Sequence, residues 1–240
     1  MLLVGGGLVA GATALFAFRT REREIKEIEP DALPPPPGGT KWKGVNAILG
    51  KLSAAAQSTG IPLGLMVGWI GMESGGKLAT KPQPGPGDTS MDERGYFQLT
   101  PEESNKLKLD HERLSTDSDY SIDAGIKLIR KYQSTVNDLG FPAGTSYYWK
   151  LVKLVHSMGV GQVPKVVNAA KAAGAAGSWD DLEQFALGMK INGPQPKKWF
   201  PFVDRVAAAG KPFGFGSELN AIVGFYHERG GLDCFGVESV

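Results

Sequence analysis

Apolar residues recur at three- and four-residue spacing through most of the chain beyond Val45. They predict helices over Val45–Ser58, Pro62–Ser74, Pro101–Lys106, Ser121–Asp138, Tyr147–Ser157, Val163–Ala173, Trp179–Met189 and Phe200–Ala208. Pro62 and Pro101 suit first-turn positions, and Gly60, Gly140 and Gly159 suit helix ends or turns. Alternation of apolar and polar residues is confined to a short piece near Tyr96–Leu99, and nothing repeats at a fixed period. The expected fold is mainly α, an α-rich globule with at most a small β-hairpin.

The two ends read differently. Met1 to Phe18 carry no charged side chain, and Arg19-Thr-Arg21-Glu-Arg23 follows abruptly. This predicts an N-terminal hydrophobic helix acting as a membrane anchor, near the lower length limit of about 18–20 residues for a bilayer span. A buried Gly-rich helix, or a terminus handled by a partner assembly, is the alternative. A cleaved signal peptide fits less well, because no basic region precedes the apolar run. Arg19, Arg21, Arg23 and Lys26 follow that run and favour keeping the carboxyl side in the cytoplasm. Next, Pro34 to Pro37 and the glycines after them make an extended spacer. The resulting organisation is a hydrophobic segment at 1–18, a charged then Pro/Gly-rich linker at 19–43, a globular domain at 44–210 and a C-terminal extension at 211–240. That extension is expected to hold a helix around Ser217–Glu228.

Composition narrows the functional classes. The chain has 240 residues, 42% hydrophobic and 21% charged, enough for one domain with a sizeable core. With 26 Lys+Arg against 25 Asp+Glu, no global field favours nucleic acid as a partner. The single cysteine, Cys234, forms no internal disulfide and makes a poor metal site. His111, His156 and His227 are widely spaced without metal-ligand pattern and read as surface or capping residues. No metal and no cofactor are expected.

One carboxylate stands out. Glu73 ends the apolar stretch from Ile61, is followed by Ser74-Gly75-Gly76, and shares a helical face with Ile70, Trp69, Met66 and Leu65. Burial raises a carboxyl pKa, which a proton donor at neutral pH needs; otherwise the residue caps the exposed end of a buried helix. A second stretch, Arg94-Gly95-Tyr96-Phe97-Gln98-Leu99-Thr100-Pro101, embeds one Gln among apolar residues. Its partners are sugar hydroxyls or the acid if it lines a cleft, and loop backbone if it does not. A third, Lys153-Leu-Val155-His156-Ser157-Met158-Gly159, ends a helix in a small-residue turn, which also reads as a plain C-cap.

These segments, in this order, resemble the lytic transglycosylase family and its lysozyme-like relatives. That family carries a Glu-Ser helix end, a Gly-x-x-Gln-Leu segment and a later Tyr-Asn-Ala-Gly turn. Trp199-Phe-Pro-Phe202-Val203-Asp-Arg205-Val206 resembles its closing segment. The likeness spans about Gly44 to Gly210. It departs at His156-Ser157-Met158-Gly159 and at Phe202, where the family usually has a Tyr.

The resemblance implies a lysozyme-like fold, a peptidoglycan substrate and Glu73 as the sole catalytic carboxylate. Glu73 then acts first as acid, then as base, on the MurNAc–GlcNAc bond. The sugar's own 6-hydroxyl is the nucleophile, and the product is a 1,6-anhydro ring. Ser74 and Gln98 are expected to orient Glu73 and substrate, Tyr96 and Phe202 to wall the sugar site, and Gly95, Ser157 and Gly159 to line it. A hydrolytic lysozyme, with Asp88 or Asp92 positioning a water, is one alternative. An inactive cell-wall-binding or scaffold module is another. The expected partners are peptidoglycan glycan strands, the membrane through residues 1–18, and a larger assembly such as a phage virion or a secretion or conjugation apparatus. The expected location is the cell envelope, anchored and facing the peptidoglycan, or the virion if the chain is phage-encoded.

Overall fold

The computed structural model describes residues 42–78, 92–190 and 196–216. The expected anchor at 1–18, the linker up to residue 41, residues 79–91 and the expected Ser217–Glu228 helix lie outside them. Among the described residues no helix is long and apolar enough to cross a membrane.

The described residues are mainly helical and contain no strand. In order they form α1 (Lys43–Asn46), α2 (Leu49–Thr59), α3 (Leu63–Glu73), α4 (Pro101–Lys106), α5 (Ser118–Asp138), α6 (Ser146–Met158), α7 (Gln162–Ala172), α8 (Trp179–Gly188) and α9 (Pro196–Gly210). Short 3₁₀ turns occupy Arg113–Ser115 and Lys211–Phe213. The hairpin expected near Tyr96–Leu99 reduces to one antiparallel bridge between Arg94 and Leu99.

Most predicted helices recur within a residue or so of their expected ends, and the differences have local causes. The single helix expected over Val45–Ser58 is two helices, α1 and α2, joined through Ala47 and Ile48. Val45 of α1 and Leu49 and Leu52 of α2 are all buried across the break. Helix α5 begins three residues early, because the Asp117 side chain accepts the Tyr120 N–H and caps it there. Helix α9 starts at Pro196 and carries Pro201 inside.

Helix α3 is buried nearly throughout, from Gly64 to Gly71. A helix apolar all round must be surrounded, and its glycines make that enclosure possible. A Cβ on Gly68 would lie 2.2 Å from the Val206 carbonyl oxygen of α9, and one on Gly71 would lie 1.9 Å from the Trp42 ring. Helices α3 and α9 therefore meet backbone to backbone, and α1, α2 and the Lys211–Phe213 turn also pack on α3. Packing continues past the expected limits of the domain: Trp42 is buried at one end, and Phe213 and Phe215 at the other.

Candidate functional site

Glu73 is the last residue of α3, so the apolar helix that anchors it also delivers its carboxylate to the edge of the core. Its side chain is 14% exposed. The burial expected from the apolar stripe is present, but the neighbours of the carboxylate are not only apolar. Lys153 of α6 places Nζ 2.9 Å from Glu73 Oε1, and this lysine is fully buried.

Three things replace water around that ammonium. Its Nζ donates to Ser157 Oγ at 3.1 Å and lies 4.5 Å from the Trp69 ring centroid and 4.9 Å from that of Phe202. Burial pushes the Lys153 pKa below its ordinary value; Glu73, Glu103 and Glu93 oppose that fall without cancelling it.

A second carboxylate sits beyond. Glu103 of α4 closes a capping box with Thr100: its Oε2 accepts the Thr100 N–H at 2.8 Å. Its Oε1 accepts the Tyr132 hydroxyl and lies 3.2 Å from His156 Nδ1. Burial works against ionising Glu103, but His156, Tyr132 and the Thr100 N–H outweigh it and hold its pKa at about 2. Burial and Glu103 together push the Tyr132 hydroxyl well up, so it stays a donor. The His156 ring spans the two carboxylates, with Nε2 3.8 Å from Glu73 Oε1, and its centroid lies 4.9 Å from that of Trp69.

The segment from Arg94 to Leu99 abuts the end of α3. Arg94 and Leu99 exchange both backbone hydrogen bonds at 2.9 Å, closing a turn in which Gly95 and Gln98 have left-handed backbone, with φ of 74° and 54°. At Gly95 a Cβ would also lie 2.6 Å from Ser121 Oγ. The Tyr96 peptide is clamped from two helices: its N–H donates to Ser121 Oγ of α5 at 2.9 Å, and its carbonyl accepts the Ser74 hydroxyl at 2.8 Å. Ser74 thus ties the turn to the end of α3.

The structure brings Glu73, Ser74, the Gly95–Gln98 turn, Ser157 and Phe202 into one neighbourhood. Ser157 enters through Lys153, and Phe202 through the face it turns to the ammonium. Gly159 ends α6 with φ of 93°, two residues from Ser157. Some expected roles change. Tyr96 is 5% exposed and its hydroxyl donates to Ser118, so it offers its backbone here and not a ring wall for sugars. Gln98 is 2% exposed and its amide donates to the Gly95 carbonyl at 2.7 Å. His156 is neither surface nor cap, because it fills the gap between Glu73 and Glu103. His111 is also engaged, bonded to Ser104 Oγ at 2.8 Å and to the Asp92 carbonyl at 2.9 Å. His227 and Asp88 lie outside the described residues. Asp92 is held by Arg94 and His111, and the Arg94 hydrogen bond keeps its carboxyl below the usual range.

Sequence reasoning missed Lys153, Glu103 and Tyr132. A signal existed for the first two: Trp149, Lys153, His156 and Ser157 share one face of α6 by helical spacing, and Thr100-x-x-Glu103 is a capping box. Tyr132 gave none. Among the described residues no cluster of His, Cys, Asp and Glu could hold a metal ion.

Compared with protein-family models and with curated proteins, the chain matches none.

Proposed function

We propose that this chain is a peptidoglycan lytic transglycosylase of lysozyme-like fold that cleaves the MurNAc–GlcNAc β-1,4 bond, with Glu73 as acid and then base. The observation that carries the reading is the meeting of segments far apart in sequence. Glu73-Ser74, the Gly95–Gln98 turn, Ser157 and Phe202 gather around one mostly buried carboxylate. Protonation of the glycosidic oxygen needs a carboxylic acid, and capture of the 6-hydroxyl proton needs its conjugate base, so one residue alternating between the two serves both steps. Phe202, half-buried against the Lys153 ammonium, and its neighbour Trp199 supply aromatic surface for sugar rings. Asp92, one of the two aspartates that a water-positioning hydrolase would use, is tied to Arg94 and His111.

The test is digestion of purified sacculi by the chain, with mass spectrometry of the released muropeptides. Anhydro ends are expected, and none from Glu73→Gln; wild-type turnover by that variant overturns the assignment. Reducing ends point to the hydrolase.

One observation favours a second reading. The Lys153 ammonium stabilises Glu73 as a carboxylate, which a purely structural ion pair also does, as in an inactive wall-binding module. Binding of sacculi without release of fragments supports that alternative. The membrane anchor and the envelope or virion setting remain part of the proposal through residues 1–18.

A further inference from the structure

A carboxylate 2.9 Å from a fully buried ammonium is a poor acid, because the neighbouring cation favours its charged form. If Glu73 protonates a glycosidic oxygen, something must restore its proton near neutral pH. The described groups facing this point include Glu73 from α3, Glu103 from α4, Tyr132 from α5 and Lys153 and His156 from α6, with Glu93 felt at Lys153 from the segment before the turn. Tyr132 stays protonated, and Lys153 is the group that opposes protonation of Glu73. Of these, His156 presents one ring nitrogen to Glu103 and the other toward Glu73.

We propose that Glu103 and His156 form a proton-holding dyad in which Glu103 fixes a proton on His156 Nδ1 and so turns His156 Nε2 to Glu73 as its proton partner. The inference rests on the catalytic reading of Glu73. The dyad's geometry sets the tautomer. Glu103 Oε1 is an anionic acceptor 3.2 Å from Nδ1, already receiving the Tyr132 hydroxyl, while Oε2 is committed to the Thr100 N–H and hydroxyl. The Nδ1 proton is therefore retained in both charge states of the ring. When the ring is charged, Nε2–H gives its proton to Glu73 Oε1: the Nε2–H bond breaks, an O–H bond forms, and the ring becomes a neutral imidazole. The 3.8 Å separation closes to hydrogen-bonding distance for this step, a tightening typical of catalytic contacts when substrate binds. Glu73 then passes that proton to the glycosidic oxygen and later takes the 6-hydroxyl proton, so each cycle ends with the proton back on the Glu73–His156 pair. His156 is a positioning residue in this scheme; it touches no reacting atom of the substrate.

The test is the pH profile of fragment release from sacculi for wild type, His156→Gln and Glu103→Gln, with thermal melts to confirm folding. Without the His156 Nε2–H donor held by Glu103, Glu73 depends on solvent for its proton beside Lys153. The alkaline limb of each variant is then expected about one pH unit or more below that of wild type, and activity at neutral pH about tenfold lower, with much of it recovered at acid pH. A uniform loss with an unchanged profile overturns the dyad, since that is what a packing role predicts. If the wild-type chain releases nothing, it is the catalytic reading of Glu73 that fails, and nitrogen-15 spectra of the imidazole decide the dyad alone. An Nδ1–H tautomer that Glu103→Gln removes supports it; an Nε2–H tautomer in wild type overturns it.

Discussion

Lys153 Nζ lies 2.9 Å from Glu73 Oε1, joining the middle of one core helix to the end of another across eighty positions of sequence. Removing one member of such a pair strands the other. Glu73→Gln is expected to cost about 3 kcal/mol at neutral pH, because the ammonium loses its counter-charge inside the core. Lys153→Met costs less, since Glu73 keeps some contact with water. The double variant should regain about 1–2 kcal/mol relative to the sum of the singles. Urea unfolding of the four proteins checks this, and strict additivity would show that the pair is not coupled.

Lys153→Met also speaks to chemistry. Taking the cation away removes the group that favours the Glu73 carboxylate, so the alkaline limb of the activity profile should move upward, opposite to the shift expected for His156→Gln. A downward shift would mean that Lys153 itself supplies the proton.

Glu103 makes stability pH-dependent. Its folded pKa of about 2 lies below the ordinary value of 4.5, so the folded state releases this proton more readily than the unfolded chain. The contribution is fully present above about pH 4.5 and disappears as pH falls toward 2. It amounts to about 3 kcal/mol at most. Thermal melts from pH 6 downward should steepen in their loss below about pH 4.5, and Glu103→Gln should flatten that slope. An equal slope in the variant would place the acid sensitivity elsewhere.

Gly68→Ala tests the approach of α3 to α9. The new methyl would sit 2.2 Å from the Val206 carbonyl oxygen, and backbone on both sides leaves little freedom to yield. A loss of about 2–3 kcal/mol is expected from chemical denaturation, against less than about 1 kcal/mol for the exposed Gly188→Ala, which has open space around it. Equal effects would sink this view of the packing.

Ser74→Ala removes the hydroxyl that bonds the Tyr96 carbonyl at 2.8 Å. The expected stability loss is only about 1 kcal/mol. Fragment release should fall about tenfold or more, because the end of α3 is no longer registered against the Arg94–Leu99 turn. A stability loss without any change in turnover would leave Ser74 as a fastener and nothing more.

Much of the helical order was legible from the chain because it rests on local rules. Apolar spacing marked α3 and α5 to α9, Pro101 marked the start of α4, and the stretch ending at Glu73 announced an enclosed helix with a carboxylate at its tip. The break between α1 and α2 was not legible, since Val45, Leu49 and Leu52 keep across it the i, i+4, i+7 spacing of one continuous helix. The site shows the same division. Residue type and order drew attention to Glu73, Ser74, Gln98, Ser157 and Phe202, but not to what surrounds the acid. Lys153 and His156 reach Glu73 from α6, with Glu103 of α4 and Tyr132 of α5 behind His156, and no local pattern states which helix faces will meet. Only the packing of α6 side chains against the end of α3 brings a lysine and a histidine to one carboxylate. There the low polarizability of the core, and not the spacing of residues along the chain, determines which groups hold a charge.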